Sequence, residues 1–272
     1  TQAEGRTPAL GELRADRLDL ATLSQIAHRL PLGTVTHAAL QAHPAKGLVE
    51  MLQARWQGPL GALDKYELRA RVVGLEVAAE PATGTPGLRG AMVDLDMNQA
   101  GGKGRLLITQ GALDLPGVFE DPLLPLTRLS AEAQWQVQGE RIVVPQWSAK
   151  FANADAEGTF SGNWQTGNTA RAGGTRFPGV LELQGRLSRG DGGRVHRYLP
   201  QSIPAEVRHY VRDAVIKGSV SELLVKIRGD LAQIPFADPK QGEFRFAAKV
   251  HNGTLAYVPR SLQPKEKPPW PT

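Results

Sequence analysis

From Glu67 to Val250, apolar and polar side chains alternate with a period of two, run after run. The cleanest run is Leu129–Gln138. There Leu129, Ala131, Ala133, Trp135 and Val137 fall on one side, and Ser130, Glu132, Gln134, Gln136 and Gln138 on the other. A helix with 3.6 residues per turn would scatter both sets around its axis, whereas an extended strand separates them. Glu67–Ala79 repeats the pattern with Leu68, Ala70 and Val72, and Leu88–Met97 with Ala91, Val93, Leu95 and Met97. Ala156–Trp164 carries Phe160 and Trp164 against Glu157, Thr159, Ser161 and Asn163. The runs Leu181/Leu183/Leu187, Leu223/Val225/Ile227/Leu231 and Phe244/Phe246/Ala248/Val250 continue it. Strands with one polar face belong to an antiparallel sheet with one side in water. About ten of them at ~4.8 Å spacing would extend roughly 48 Å. The 30 Gly and 20 Pro of the 272 residues favour many turns over long helices.

Within the strands an apolar-x-Gly-x-apolar repeat recurs: Phe160-Ser161-Gly162-Asn163-Trp164, Leu183-Gln184-Gly185-Arg186-Leu187 and Ile227-Arg228-Gly229-Asp230-Leu231. The glycine falls on the apolar side each time. Such a glycine marks a bend or a close approach, and regular bends curve a sheet into a trough; a strand ending near a turn reads the same way. Helical spacing predicts helices at about 16–30, 45–55, 194–199 and 204–217. The first rests on Leu18, Leu20, Leu23, Ile26, Ala27 and Leu30, ended by Pro31; the second on Leu48, Val49, Met51 and Leu52. Pro200 closes the third. The fourth starts at Pro204, carries Val207, Val211 and Val215 at four-residue steps, and is expected to end at Gly218. Asp191-Gly192-Gly193 reads as a flexible turn. The expected organisation is one unit, 1–272: a helix-rich opening part at 1–64, strands at 65–190, a helical insertion at 191–218, closing strands at 219–259 and a Pro/Lys-rich tail at 260–272.

Little in the chain carries reaction chemistry. There is no Cys, which removes thiol nucleophiles, Cys-based metal sites and disulfides. The six His show none of the local zinc spacings, which leaves only a convergence of His28, His37 and His43 in space. No GxSxG elbow is present, and Gly101-Gly102-Lys103-Gly104 lacks the spacing of a phosphate loop and reads as a hairpin turn. Asn252-Gly253 reads as a type I′ turn. Asp94 and Asp96 share one polar strand face, which suits either a solvated surface or paired carboxylates acting on a glycan. The net charge of +5 comes without a run of five like charges, and the aromatic residues have no basic residues on their own side, so no nucleic-acid partner is expected. No stretch of ~18 apolar residues is available to cross a bilayer. Thr1–Asp19 has no signal-peptide core, and the chain neither opens on Met nor closes at an obvious boundary. It is expected to be a piece of a longer protein whose targeting signals lie elsewhere.

Several segments, in order, resemble the AsmA-like family of bacterial envelope proteins, and within it the YhdP branch. They are Leu18-Asp19-Leu20, Pro86-Gly87-Leu88-Arg89-Gly90, Leu113-Asp114-Leu115-Pro116-Gly117-Val118-Phe119 and Tyr198-Leu199-Pro200. Ala214-Val215-Ile216-Lys217-Gly218, Arg228-Gly229-Asp230-Leu231, Ile234-Pro235-Phe236, Gly242-Glu243-Phe244-Arg245-Phe246, Leu255-Ala256-Tyr257-Val258-Pro259 and Trp270-Pro271 follow. The resemblance implies a mainly β periplasmic segment of an inner-membrane-anchored envelope protein, its anchor outside this chain. It further implies a long curved antiparallel sheet forming an open apolar groove, a β-taco. Such proteins are thought to pass phospholipid acyl chains between the two membranes and so to support the outer-membrane permeability barrier. Phospholipid acyl chains are the implied partner; no catalytic residue, metal or cofactor comes with the resemblance, and the chain is not expected to be an enzyme. The apolar positions that would line the groove are Leu68, Val72, Val93, Leu95, Trp135, Val137 and Phe160. Trp164, Leu181, Leu183, Val225, Ile227, Phe244 and Phe246 complete the set. The alternative is a closed β-sandwich or barrel that serves as an interaction module of the cell envelope, the same residues forming its dry core.

Overall fold

A computed structural model describes residues 10–22, 45–59, 63–168, 176–234, 236, 238–266, 268 and 270. Every alternating run becomes a strand of one antiparallel sheet. The strands are β1 (Leu10–Ala15), β2 (Leu18–Asp19), β3 (Ala45–Gln57), β4 (Lys65–Val77), β5 (Gly87–Asn98) and β6 (Gly101–Asp114). After them come β7 (Leu123–Gln138), β8 (Arg141–Ala152), β9 (Ala156–Gln165), β10 (Val180–Asp191), β11 (Val215–Asp230) and β12 (Gly242–Leu255). From β3 to β12 each strand pairs with its successor, and β1 and β2 both pair with β3. The sheet is open. β1 and β2 form one edge and β12 the other, so the closed sandwich or barrel is not the fold. Ladder pairing of consecutive strands satisfies the backbone locally and needs no crossover.

The predicted helix at 45–55 is instead β3. Two irregularities explain the misleading spacing. Val49 faces Val72 while Met51 faces Arg71, so Glu50 is an extra residue on β3. On the partner strand, Lys46 faces Glu76 and Leu48 faces Val73, so β4 carries the extra residue there. A bulge shifts the parity of everything beyond it. Leu48, Val49, Met51 and Leu52 therefore mimic helical steps while belonging to a broken two-residue period. In the predicted helix at 16–30, Leu18 and Asp19 pair with Val49 and Leu48, and helix begins only at Leu20. Asp19 accepts a hydrogen bond from the Thr22 amide at 2.8 Å, as a helix cap does. The remainder of that prediction, 23–30, lies outside the described residues, as do His28, His37 and His43.

The insertion between β10 and β11 is helical, as expected at 194–199 and 204–217, with different limits. Gly192–Tyr198 is a 3-10 helix, and α1 spans Ala205–Ala214. Asp191-Gly192-Gly193 is a cap rather than a flexible turn: the Asp191 carboxylate accepts from the Gly193 amide at 2.9 Å. The helix stops at Ala214, because Val215 already pairs with Leu255, and Gly218 lies inside β11. Two further turn expectations move. The hairpin after β5 turns at Gln99-Ala100, and Gly101–Gly104 is the start of β6. Asn252-Gly253 sits inside β12, where Asn252 takes a left-handed φ of 51° at a bulge opposite Lys217 and Ser219. Three or more such irregularities along a twisted sheet bend it, which makes this a curved open sheet. The best-buried cluster joins Ala91, Ile108, Leu126 and Leu129, with Phe151, Leu75 and Leu113 against it. None of the helices among the described residues is long and apolar enough to cross a membrane.

Candidate functional site: one apolar face and the latch at its rim

The registers carry one face through the sheet. Val49 and Leu52 of β3 stand opposite Val72 and Ala70 of β4. Val72 and Leu68 stand opposite Val93 and Met97, and Leu95 opposite Ala70. On the next strands Val93 faces Leu106, which faces Ala131, while Gly102 faces Trp135. Val137 pairs with Ile142 and Ala149 with Phe160. Beyond that Trp164 pairs with Leu181, Leu183 with Ile227, Val225 with Phe246 and Ile227 with Phe244. All fourteen residues singled out from the sequence as apolar lining thus share one side of the sheet. Val137 stays on it by the regular alternation of β7, and the partner strand adjusts by a bulge: between Gln134 and Gln136 of β7, the register on β8 jumps from Gln146 to Val143. That jump re-aims β8, so that Ile142 and Val144 lie on the same side as Trp147 and Ala149.

Most of the apolar face is half-buried: of the fourteen, Phe246 is exposed, Val225 is buried and the other twelve are intermediate. Among the described residues the helical elements pack chiefly on β10 and β11. Phe246 is 53% exposed, although Val225 beside it is buried. Aromatic rings run along the face: Phe151 and Phe160 stack at 5.6 Å between centroids, and Phe244 meets Phe246 edge-on at 4.8 Å. Trp164 stacks on Phe177 at 6.0 Å, and its indole N–H donates to the Pro178 carbonyl at 2.8 Å. A continuous apolar surface of this length suits a ligand or partner.

The opposite face is a field of ion pairs. Arg71 reaches Asp94 at 2.6 Å, and Asp96 lies 3.5 Å from Arg69 and 3.8 Å from Lys103. Arg105–Glu132, Lys226–Glu243 and Lys249–Glu222 follow at 2.8, 2.8 and 2.9 Å. Hydrogen bonding to Asp94 raises the pKa of Arg71, and Lys226 and Lys249 lower those of Glu243 and Glu222. Asp94 and Asp96 are therefore partners in a solvated charge ladder. Two shallow hollows, of about 670 and 920 Å³, are lined mainly by side chains of this polar face, among them Arg69, Lys103 and Glu132 in one and Thr159, Gln184 and Lys226 in the other. The apolar face is a continuous surface rather than an enclosed pocket.

One rim of the sheet carries a buried polar constellation that the sequence reading did not single out. Asn153 and Asp155, in the turn between β8 and β9, are 9% and 8% exposed. The Asn153 carboxamide oxygen accepts from the amides of Asp155 and Ala156 at 3.0 and 2.7 Å. Asp155 in turn receives Arg197 at 2.8 Å and the Tyr198 hydroxyl at 3.0 Å, and Asn153 donates to that hydroxyl at 2.9 Å. Burial raises the pKa of Tyr198. Phe119 meets Tyr198 edge-on at 6.3 Å, and Gln201 donates to the Phe119 carbonyl at 2.7 Å. Further out, Glu120 lies 3.4 Å from both His209 and Arg208, and its hydrogen bond to His209 lowers its pKa. The insertion is thus latched to the β6–β7 and β8–β9 connections. In the segment Tyr198-Leu199-Pro200 the Tyr anchors the insertion, and Pro200 bridges to Phe119. The sequence signal was an Asn-x-Asp turn, a common surface motif that does not show its distant partners.

Among the described residues, no group of three or more His, Asp or Glu is placed to hold a metal ion. Compared with known protein families, the chain matches the one described as YhdP protein over residues 1–271. No curated protein and no solved structure matches it.

Proposed function

The chain belongs to the YhdP family, and from that membership we propose that it is one segment of an envelope bridge that carries phospholipid acyl chains along the apolar face of its sheet. The observation that carries the reading is the unbroken apolar side running from β3 to β12, faced by a second side of salt-bridged charge. Each methylene laid on such a surface gains about 0.8 kcal/mol, so an acyl chain is held without a charged pocket. A surface shared by many strands has no single deep minimum, which suits passage along the sheet better than storage at one place. On this reading the segment works in the periplasm, between an inner-membrane anchor elsewhere in the protein and the outer membrane, and acts by binding rather than by catalysis.

The test is native mass spectrometry of the chain purified from bacterial envelopes, with extraction of its lipid. Phospholipid should accompany the chain and be lost in Phe246→Glu, whose exposed position lets a carboxylate enter without unfolding the sheet. A chain free of lipid, or a folded Phe246→Glu chain carrying as much lipid as the unsubstituted one, defeats the proposal.

A further inference from the structure

Large aromatic side chains on the apolar face do not all stand upright. In several places a ring lies over a glycine of the adjacent strand, in the volume that a side chain there would take. Gly102 is directly opposite Trp135, and a Cβ added to it would sit 2.8 Å from Cζ2 of the indole, with the Asp96 carbonyl as close and Met97 Cβ closer still at 2.6 Å. Gly185 is directly opposite Phe160, and its Cβ would overlap the Phe160 ring. Gly11 and Trp56 repeat the arrangement at the β1 edge. At the other end Phe236, from the β11–β12 connection, covers the facing pair Gly229 and Gly242; a Cβ on Gly229 would lie 2.7 Å from the ring. Real Cβ contacts keep beyond 3.0 Å, so at each place the glycine is what lets the ring lie down.

Physics gives this a consequence. A ring lying at the level of a neighbour's absent Cβ rises only about one bond length above the backbone. The same ring displaced by a side chain must stand up from the sheet. Glycine weakens a strand and covering it with an aromatic ring offsets the loss, so stability alone accounts for one such pair. Four, spread from β1 to β12 and all on the apolar side, keep the bulkiest residues out of the layer an acyl chain would occupy. We infer that these glycines are specificity-determining positions that set the clearance above the apolar face, so that a lipid chain passes over flattened rings. The inference rests on the lipid reading above.

The experiment loads the chain from vesicles of phosphatidylethanolamine and phosphatidylglycerol and counts bound phospholipid by native mass spectrometry, with a thermal melt of each variant. Gly185→Val should lower bound lipid about tenfold, the loss of roughly two methylene contacts. Phe160→Leu added to Gly185→Val should restore it, because the obstructing ring is gone. Folded Gly185→Val with full lipid, or loss of lipid that Phe160→Leu does not repair, overturns the inference while leaving the lipid reading in place. No lipid on the unsubstituted chain overturns both. Should Gly185→Val fail to fold, Phe160→Leu alone decides: the wider clearance should raise uptake of kinked, unsaturated chains relative to saturated ones, and an unchanged ratio overturns the inference.

Discussion

Tyr198 shows how much one side chain can tie together. Its hydroxyl donates to Asp155 and accepts from Asn153, while its ring meets Phe119. Arg197 beside it bonds the same Asp155 carboxylate, whose side chain is 11% exposed. A hydrogen bond to a charged group nets more than a neutral one, and removing the acceptor strands both donors. Asp155→Ala should therefore lower unfolding free energy by about 2 kcal/mol, and Tyr198→Phe by about 1 kcal/mol. Urea melts at constant m-value measure both. An unchanged midpoint in Tyr198→Phe would remove the hydroxyl from the latch.

At the scale of the strand, bulges keep the apolar side on one face over elements as long as β11 and β12. A strand of many residues twists and drifts from its neighbour, and an extra residue resets the register at the cost of one parity change. The Asn252 bulge does this where β12 passes Lys217 and Ser219. Asn tolerates the left-handed region better than most residues, and a β-branched residue does not. Asn252→Val should cost about 1–3 kcal/mol, whereas Asn252→Gly should be close to neutral. Chemical denaturation distinguishes them; equal stability of the two variants would show that the positive φ is not required there.

Among the described residues the molecule is a single sheet with two open edges. β12 presents an outer row of backbone donors and acceptors over fourteen residues, with Val250 57% exposed, and β1 carries Leu13 at 47%. Unpaired edges with apolar side chains invite further strands. In isolation the chain should associate as its concentration rises. Val250→Lys and Leu13→Lys together should hold it monomeric, because a lysine on an edge penalises pairing with a second apolar strand. Sedimentation velocity over a concentration series tests this: an unsubstituted chain that stays monomeric throughout would mean that the edges are already protected.

The sequence by itself determined that the chain is a one-faced antiparallel β protein, and it identified which residues share the apolar side. Alternation is a local property, readable wherever strands are regular, and Leu129–Gln138 displays it without help. It failed where irregularity is set by the partner strand. The spacing at 45–55 reads as helical because Glu50 is bulged, and whether a residue is bulged depends on what it pairs with. Only the tertiary structure decided that the sheet stays open, that Asp155 holds Arg197 and Tyr198 across more than forty residues, and that rings rest on facing glycines. These are consequences of register between segments far apart in the chain, and spacing along one segment carries no record of them.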